Sequence, residues 1–378
     1  MKKVVLPPAT IGIIGGGQLG RMMAEAAKPM GYRVVILDPN PDSSAGKVSD
    51  EQIVAAYDDI AALTKLADEA DVITYEFENV DVSGIEQVKE NSYLAQDLDN
   101  LRITSNRILE KEFLEANQIK VAPFRAVKVQ ADLEPAISDL GYPAILKTVS
   151  GGYDGHGQWN LNNDDDLQSF LEKHQIDSDH PLILERKLNF DCELSMMVTR
   201  DGNDRVVTWP ISRNYHQDHI LKISIIQDDL DSEITKQAQT MATKIAQKLN
   251  LKGMLGIEFF LQGNQLLVNE LAPRPHNSGH YTIEGTNVSQ FEGQIRSVTG
   301  LPIAEITLNN QQITMINLLG SEITSAREDL VNHPEWHFHD YEKTPIVKKR
   351  KMGHITVLGK ANGAKLIEWE KSHHDQAN

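Results

Sequence analysis

Glu258 and Glu270 sit on two apolar runs, Met254 to Leu261 and Gln265 to Glu270, that flank Gln262-Gly263-Asn264. Both runs read as strands and the residues between them as turn chemistry, so an antiparallel hairpin is expected. With Gly263 to Gln265 as the loop, Glu258 falls directly across from Glu270; a two-residue loop would put Asn269 opposite Glu258 instead. Carboxylates opposed at about 4 Å repel by roughly 4 kcal/mol at a near-surface effective dielectric. A hard divalent cation compensates such a pair, because Mg2+ takes one or two carboxylates and completes its shell with water and nucleotide phosphates. Asn269 offers a neutral oxygen beside them. The plainer alternative is a solvated hairpin face with its acids in water. Downstream, a proline-framed loop crowds Arg274, His276, Asn277, Ser278 and His280 against the second strand, a density of polar function typical of a reaction centre.

Gly151-Gly152-Tyr153-Asp154-Gly155-His156-Gly157-Gln158 carries four glycines in a short loop. Their summed entropy cost of roughly 2 to 4 kcal/mol suits a backbone that must close over a ligand. Lys147, ending the preceding strand, can bring positive charge to phosphates under that loop. A plain surface hairpin is the alternative. Neither Gly-x-x-x-x-Gly-Lys-Ser/Thr nor a kinase catalytic loop is present. Leu182 to Leu188 ends an apolar strand in Glu185, Arg186 and Lys187, a crossover whose backbone could read an adenine edge. Gly15, Gly17 and Gly20 with Asp38 match the spacing of a dinucleotide fingerprint, a weak signal alone that also describes a tight strand-to-helix turn. Lys343, Lys348, Lys349, Arg350 and Lys351 form the strong basic cluster of the chain, either a solvated face or a hold for a phosphorylated substrate.

These residues need scaffolding, and the pattern supplies it. Thr10 to Ile14, the glycine turn, a helix from Arg21, and Arg33 to Leu37 form a βαβ unit, extended by a helix at Ile60 to Glu69, a strand at Val72 to Phe77 and a helix at Val82 to Glu90. Ser105 is placed to cap the next helix. Strands follow at Ala144 to Thr148, Leu182 to Glu185, Glu193 to Thr199 and Arg205 to Pro210, then a helix at Ile234 to Leu249 and late strands at Thr314 to Leu319 and His354 to Leu358. Length of 378 residues implies two or three domains. The formal net charge of -17 argues against nucleic acid or anionic membrane as general partners. One cysteine, Cys192, excludes an internal disulfide and a cysteine-based zinc site. No segment approaches a membrane span, and a cytoplasmic protein is expected.

Taken in order, Lys147, the Gly152 to Gln158 loop, Glu185, Glu258 and Asn269-Glu270 resemble the ATP-grasp superfamily. More narrowly, Gly15 to Met22, Thr74 to Val80, Gly151 to Gln158, Asn269 to His280 and Arg350 to His354 resemble the N5-carboxyaminoimidazole ribonucleotide synthetase family of purine biosynthesis. The resemblance implies an α/β and α+β chain: a Rossmann-like pre-ATP-grasp domain over residues 1–103, an ATP-grasp region over 104–302 with its glycine-loop subdomain near 123–200, and a small β-rich C-terminal domain over 303–378. It implies ATP, Mg2+ (two ions, with Mn2+ able to substitute), bicarbonate and 5-aminoimidazole ribonucleotide as ligands, and a homodimer. By position, Arg107, Lys147, Gly152, Tyr153, Asp154, Gly155, His156, Gly157, Gln158, Glu185, Arg186, Lys187, Leu188, Glu193, His216, Asn269 and Glu270 would contact ATP. Glu258, Glu270 and Asn269 would hold metal. Lys147, Tyr153, Asp154, Arg274, His276, Asn277, Lys343 and Arg350 would carry the chemistry, with the Gly15 loop facing substrate.

The chain departs from the family pattern at Arg213-Asn214, where an acid usually precedes the asparagine, at His219, usually glycine, and at His156, usually Lys or Arg. Alternatives are a formate-dependent glycinamide ribonucleotide transformylase on the same fold, an NAD-dependent dehydrogenase built on Gly15 to Asp38, and a non-catalytic nucleotide sensor.

Overall fold

The computed structural model describes residues 3–78, 80, 82–88, 93–151, 157–227 and 230–374, arranged around three sheets. The first is parallel, in the order Glu51–Ile53, Arg33–Leu37, Thr10–Ile14, Val72–Tyr75, Tyr93–Leu94. Thr10–Ile14 is buried along its whole length, as a central parallel strand with both faces covered must be. Helices Gln18–Ala27 and Ile60–Glu69 supply that cover, the second capped by the Asp59 carboxylate.

The second sheet is antiparallel, in the order Phe124–Val127, Leu182–Arg186, Ala144–Thr148, Gln158–Leu161. The third runs Gln265–Ala272, Leu255–Gln262, Cys192–Arg200, Ser212–Gln217, Ile220–Ile226, Ile313–Leu319, Lys351–Leu358, His337–Asp340, with Val206–Thr208 paired beside Cys192–Arg200. Its strands alternate between two faces. Leu194, Met196, Ile257 and Phe259 pack with Ala238, Ala242 and Ile245 of helix Ser232–Lys248, leaving Glu193, Ser195, Glu258 and Phe260 for the opposite face. Residues 313–358 therefore extend the sheet that carries the acidic hairpin, and helices Glu322–Asp329 and Lys360–His374, unmarked by the sequence reading, lie with them.

Two further details differ from expectation. The strand expected over Val72 to Phe77 ends at Tyr75. The cap of helix Arg107–Ala116 is Asn106, whose side chain accepts from Ile108 and Leu109 N–H, while Ser105 closes the preceding helix Leu98–Thr104. Across the sheets, Gln294 Nε2 donates to Thr74 Oγ1 at 2.8 Å and Gln96 Nε2 to the Pro273 carbonyl at 3.2 Å, fixing the 273–280 loop against the parallel sheet.

Candidate active site

The acidic hairpin forms by a route the sequence did not reveal. Its loop has two residues, since Gln262 pairs with Gln265 and Gly263 takes a positive φ of 58°. That register alone would set Asn269 against Glu258. A β-bulge between Glu258 and Phe259 of the register inserts Asn269 as the extra residue and restores the Glu258–Glu270 pair. Because two residues of a bulged strand oppose one, Asn269 and Glu270 reach the same site although they are adjacent in sequence. Asn269 Nδ2 lies 3.3 Å from Glu258 Oε2. Burial, then Glu270, pushes the Glu258 carboxyl up to about 7. Ligand atoms of Glu258, Glu270 and His276 lie within 4.8 Å of one another, and the oxygen-rich pair with Asn269 suits a hard divalent cation.

A wall of alternating charge faces the hairpin. Glu185 accepts from Lys147 at 2.9 Å and lies 3.4 Å from Lys111. Burial opposes its ionisation, yet Lys111 and Lys147 outweigh burial and hold the carboxyl down at about 2. Lys111 Nζ also donates to the Asn269 carbonyl at 3.3 Å, and Glu110 accepts from Leu271 N–H at 2.9 Å. Burial lifts Glu110 to about 8. Arg107 donates to the Thr148 carbonyl at 2.9 Å. His216 pairs with Glu193, which raises its pKa against the opposing effect of burial.

The 273–280 loop supplies the other end. Arg274 Nε donates to Glu78 at 2.6 Å. His276 is pinned through its backbone by Gln290, and burial, then Arg274, holds its pKa well below the usual value. Among the described residues, neither side-chain polar atom of Asn277 has a hydrogen-bond partner, as expected of an amide that serves a ligand. Lys343 donates to Gln18 at 2.6 Å; burial, then Arg350, lowers it to about 8.

A cavity of about 700 Å³ joins these groups, from Lys147, Gln158 and Glu185 past Glu193, His216, Glu258, Asn269 and Glu270 to Arg274, His276 and Asn277, with Arg107, Gly157 and Lys187 on its walls. Arg186 and Leu188 line a separate crevice beside Pro123 and Lys120, whereas of that stretch Glu185 and Lys187 line the cavity. Lys343 stands behind Gln18, which is itself on the wall, and Arg350 donates to the Thr344 and Pro345 carbonyls rather than lining the cavity. Gly152, Tyr153, Asp154, Gly155 and His156 lie outside the described residues. Glu110, Lys111, Glu76, Glu78 and Gln18 also line the cavity, beyond the site residues expected from sequence. For the first two a signal existed: Arg107, Glu110, Lys111 and Leu114 recur at helical spacing on one stripe, and Glu110 and Lys111 are 3% and 1% exposed.

The dinucleotide alternative fails on geometry. Gly17 and Gly20 N–H donate to the Glu76 carboxylate, which fills the helix N-terminus where a phosphate would bind. A Cβ on Gly15, at φ 109°, would come 2.2 Å from Glu76 Cγ. Asp38 accepts from Gly16 N–H and Tyr57 hydroxyl, at 2.7 and 2.6 Å, rather than awaiting a ribose. Of the departures, His219 takes φ 65° next to Asp218 at 49°, a two-residue turn that glycine fits best, and its ring lies 3.4 Å from Gln158 Nε2. Asn214 is buried among serines.

Such a site, between an antiparallel glycine-loop subdomain and an acidic hairpin, is that of an ATP-grasp enzyme, and the comparisons agree. Residues 8–105 match the ribonucleotide synthetase preATP-grasp domain, 112–291 the ATP-grasp domain and 314–366 the phosphoribosylaminoimidazole carboxylase C-terminal domain. The N5-carboxyaminoimidazole ribonucleotide synthase of Bacillus subtilis is 44% identical over 360 residues, 94% of this chain and 93% of that protein. A Staphylococcus aureus N5-carboxyaminoimidazole synthetase complexed with ADP superposes with TM-score 0.90 at 41% identity, over 98% of each chain. The Aspergillus clavatus synthase in complex with ADP and 5-aminoimidazole ribonucleotide gives 0.89 at 30% identity, over 97% of this chain and 99% of that one. The chain belongs to the N5-carboxyaminoimidazole ribonucleotide synthetase family.

Proposed function

We propose that this protein is a carbon–nitrogen ligase that uses ATP and bicarbonate to carboxylate 5-aminoimidazole ribonucleotide to N5-carboxyaminoimidazole ribonucleotide, releasing ADP and phosphate, in de novo purine biosynthesis towards IMP. The observation that carries this reading is the single cavity joining the Glu258–Glu270 pair to Arg274, His276 and Asn277. The C-terminal match to the carboxylase domain favours it over a formate-dependent transformylase.

In this reading a bicarbonate oxygen attacks the γ-phosphorus of ATP, the bond to the ADP oxygen breaks, and carboxyphosphate forms. Its C–O bond then breaks to give phosphate and CO2. The exocyclic amine nitrogen adds to CO2, and its proton passes to phosphate. Phosphoryl transfer of this kind needs positioning and charge neutralisation more than a protein nucleophile. Lys147, with Arg107, faces the phosphates; backbone of the Glu185 to Leu188 stretch meets the adenine; Glu193 and His216 complete the nucleotide wall. When bound, Mg2+, as two ions replaceable by Mn2+, is held by Glu258, Glu270 and Asn269 and neutralises charge on the transferring group. Arg274, which donates to Glu78 in this structure, turns its guanidinium to carboxyphosphate. Asn277 orients the acceptor, Lys343 and Arg350 hold the phosphate of the ribonucleotide, and Tyr153 and Asp154 of the glycine loop serve the same end. We place the enzyme in the cytoplasm as a homodimer; among the described residues no helix is long and apolar enough to cross a membrane.

The test is isotopic. Turnover with [18O]bicarbonate should leave 18O in the released phosphate, because the attacking oxygen stays on phosphorus when carboxyphosphate breaks. Unlabelled phosphate accompanying carboxylated product would overturn the carboxyphosphate route.

A further inference from the structure

Ser278, Ser195, Ser212, Asn214 and Ser224 form a buried hydrogen-bonded chain behind His276, each no more than 5% exposed. They come from three strands and the 277–279 turn, where strand alternation would otherwise place apolar side chains or exposed polar ones. A fully buried polar chain of this kind is held only if its members are mutually satisfied.

Counting protons along it gives a direction. Asn214 Oδ1 accepts from Ser224 Oγ at 2.9 Å, and Asn214 Nδ2 donates to Ser195 Oγ at 2.9 Å. Ser212 Oγ reaches Asn214 Oδ1 at 3.2 Å and lies 2.8 Å from Ser195 Oγ, a contact in which either hydroxyl can donate, and Ser195 Oγ donates to Ser278 Oγ at 2.6 Å. Ser278 then has one proton left, and its remaining partner is His276 Nδ1 at 2.8 Å. Hydroxyl chains can be reversed by flipping the amide, so this order alone is not decisive. The backbone decides it. Ser278 N–H, which can only donate, also points at His276 Nδ1, at 3.4 Å. Nδ1 therefore accepts whichever way the asparagine faces, and the ring proton belongs on Nε2.

Nε2 is the atom turned to the reaction centre, 3.5 Å from Glu258 Oε1. We infer that Ser278, with Ser195 and Asn214 behind it, locks the His276 ring in the neutral Nε2–H tautomer, so that the side chain facing the reaction centre can donate but can neither ligate a metal nor take the amine proton. A protonated Nε2 has no lone pair for a cation, so the three groups clustered within 4.8 Å divide into two carboxylates for metal and one hydrogen-bond donor. Ser278, Ser195 and Asn214 are on this account positioning residues. The inference rests on the proposed function only for the identity of the amine; the tautomer does not depend on it.

The experiment takes the full chain labelled with 15N-histidine and assigns His276 by comparison with His276→Gln. Long-range 1H–15N correlation should show Nδ1 unprotonated and Nε2 protonated. In kinetics, His276→Gln, whose amide N–H can stand in for Nε2–H, should retain about tenfold more kcat than His276→Asn, which mimics the other nitrogen. Ser278→Ala should lower kcat about tenfold with KM for ATP unchanged, and broaden the His276 signals as the second tautomer becomes populated. A protonated Nδ1 in the wild-type protein, or a nitrogen of His276 directly coupled to bound Mn2+ in pulsed electron paramagnetic resonance, would overturn the inference. If the tautomer is as stated but 18O fails to reach phosphate, the carboxyphosphate reading falls and the donor assignment stands.

Discussion

Two buried carboxylate sites on sheets, one inside the acidic hairpin and one at the N-terminal glycine turn, are resolved differently. At the turn, Glu76 is met by the backbone N–H groups of Gly17 and Gly20, so the anion a glycine-rich helix start attracts is already part of the chain. At the hairpin, Glu258 faces Glu270 across paired strands, and burial and then Glu270 hold the Glu258 carboxyl up at about 7, with His216 offsetting only part of that. A motif satisfied from within is architecture. One left electrostatically incomplete is where a ligand belongs, and proteins retain such local conflicts chiefly at functional sites.

This contrast is tested by exchanging one oxygen at each place. Glu270→Gln should lower turnover by about 10³-fold or more through loss of charge neutralisation. Its thermal midpoint should stay unchanged or rise, since the like-charge pair is relieved. Full activity in this variant would remove the metal assignment. Second in size is the pH dependence of ribonucleotide binding. Burial, then Arg350, brings Lys343 to about 8, so its positive charge is present below that pH and lost above it. KM for the ribonucleotide should therefore climb by up to about tenfold per pH unit beyond 8, and Lys343→Arg should abolish the break. A flat profile for the wild-type enzyme would show that Lys343 does not hold the ribonucleotide.

Glu76→Gln gives the opposite readout from the hairpin. The amide has a single acceptor oxygen for the two N–H donors of Gly17 and Gly20, and stranding one of them should cost about 1–3 kcal/mol in chemical denaturation, without any gain of NAD binding. The smallest effect is expected at His219→Gly. Glycine accommodates the positive φ of that turn, so stability should change by no more than about 1 kcal/mol, in the stabilising direction, while the contact to Gln158 is lost. A loss of several kcal/mol would mean that His219 packs as part of the core.

The acids, Lys147 and the polar loop were legible in sequence because each charged residue breaks or follows an apolar run that reads as a strand, where an ionisable side chain stands out against its neighbours. The facing of Glu258 and Glu270 was legible too, but for the wrong reason: the loop is one residue shorter than supposed, and the bulge at Asn269 supplies the difference. A bulge leaves no composition signal when its extra residue is an ordinary asparagine. Strands Ser212–Gln217 and Ile220–Ile226 were not marked in the sequence, since the turn joining them is Asp218-His219, without the glycine that signals such a hairpin. Glu76 was hidden by its distance from the glycines it satisfies, 56 residues from Gly20, a relation that only the fold brings together. The serine chain behind His276 was equally illegible, since its members are scattered from Ser195 to Ser278 and each alone reads as a routine strand or turn residue.

The most direct test of the acidic hairpin as the seat of an ATP-dependent ligase is steady-state ADP release, measured with ATP and Mg2+ and with bicarbonate and 5-aminoimidazole ribonucleotide omitted in turn. Full release only when both are present, and its loss in Glu270→Gln, is the predicted result. ADP release that ignores the ribonucleotide and bicarbonate, or that survives loss of Glu270, would contradict the account.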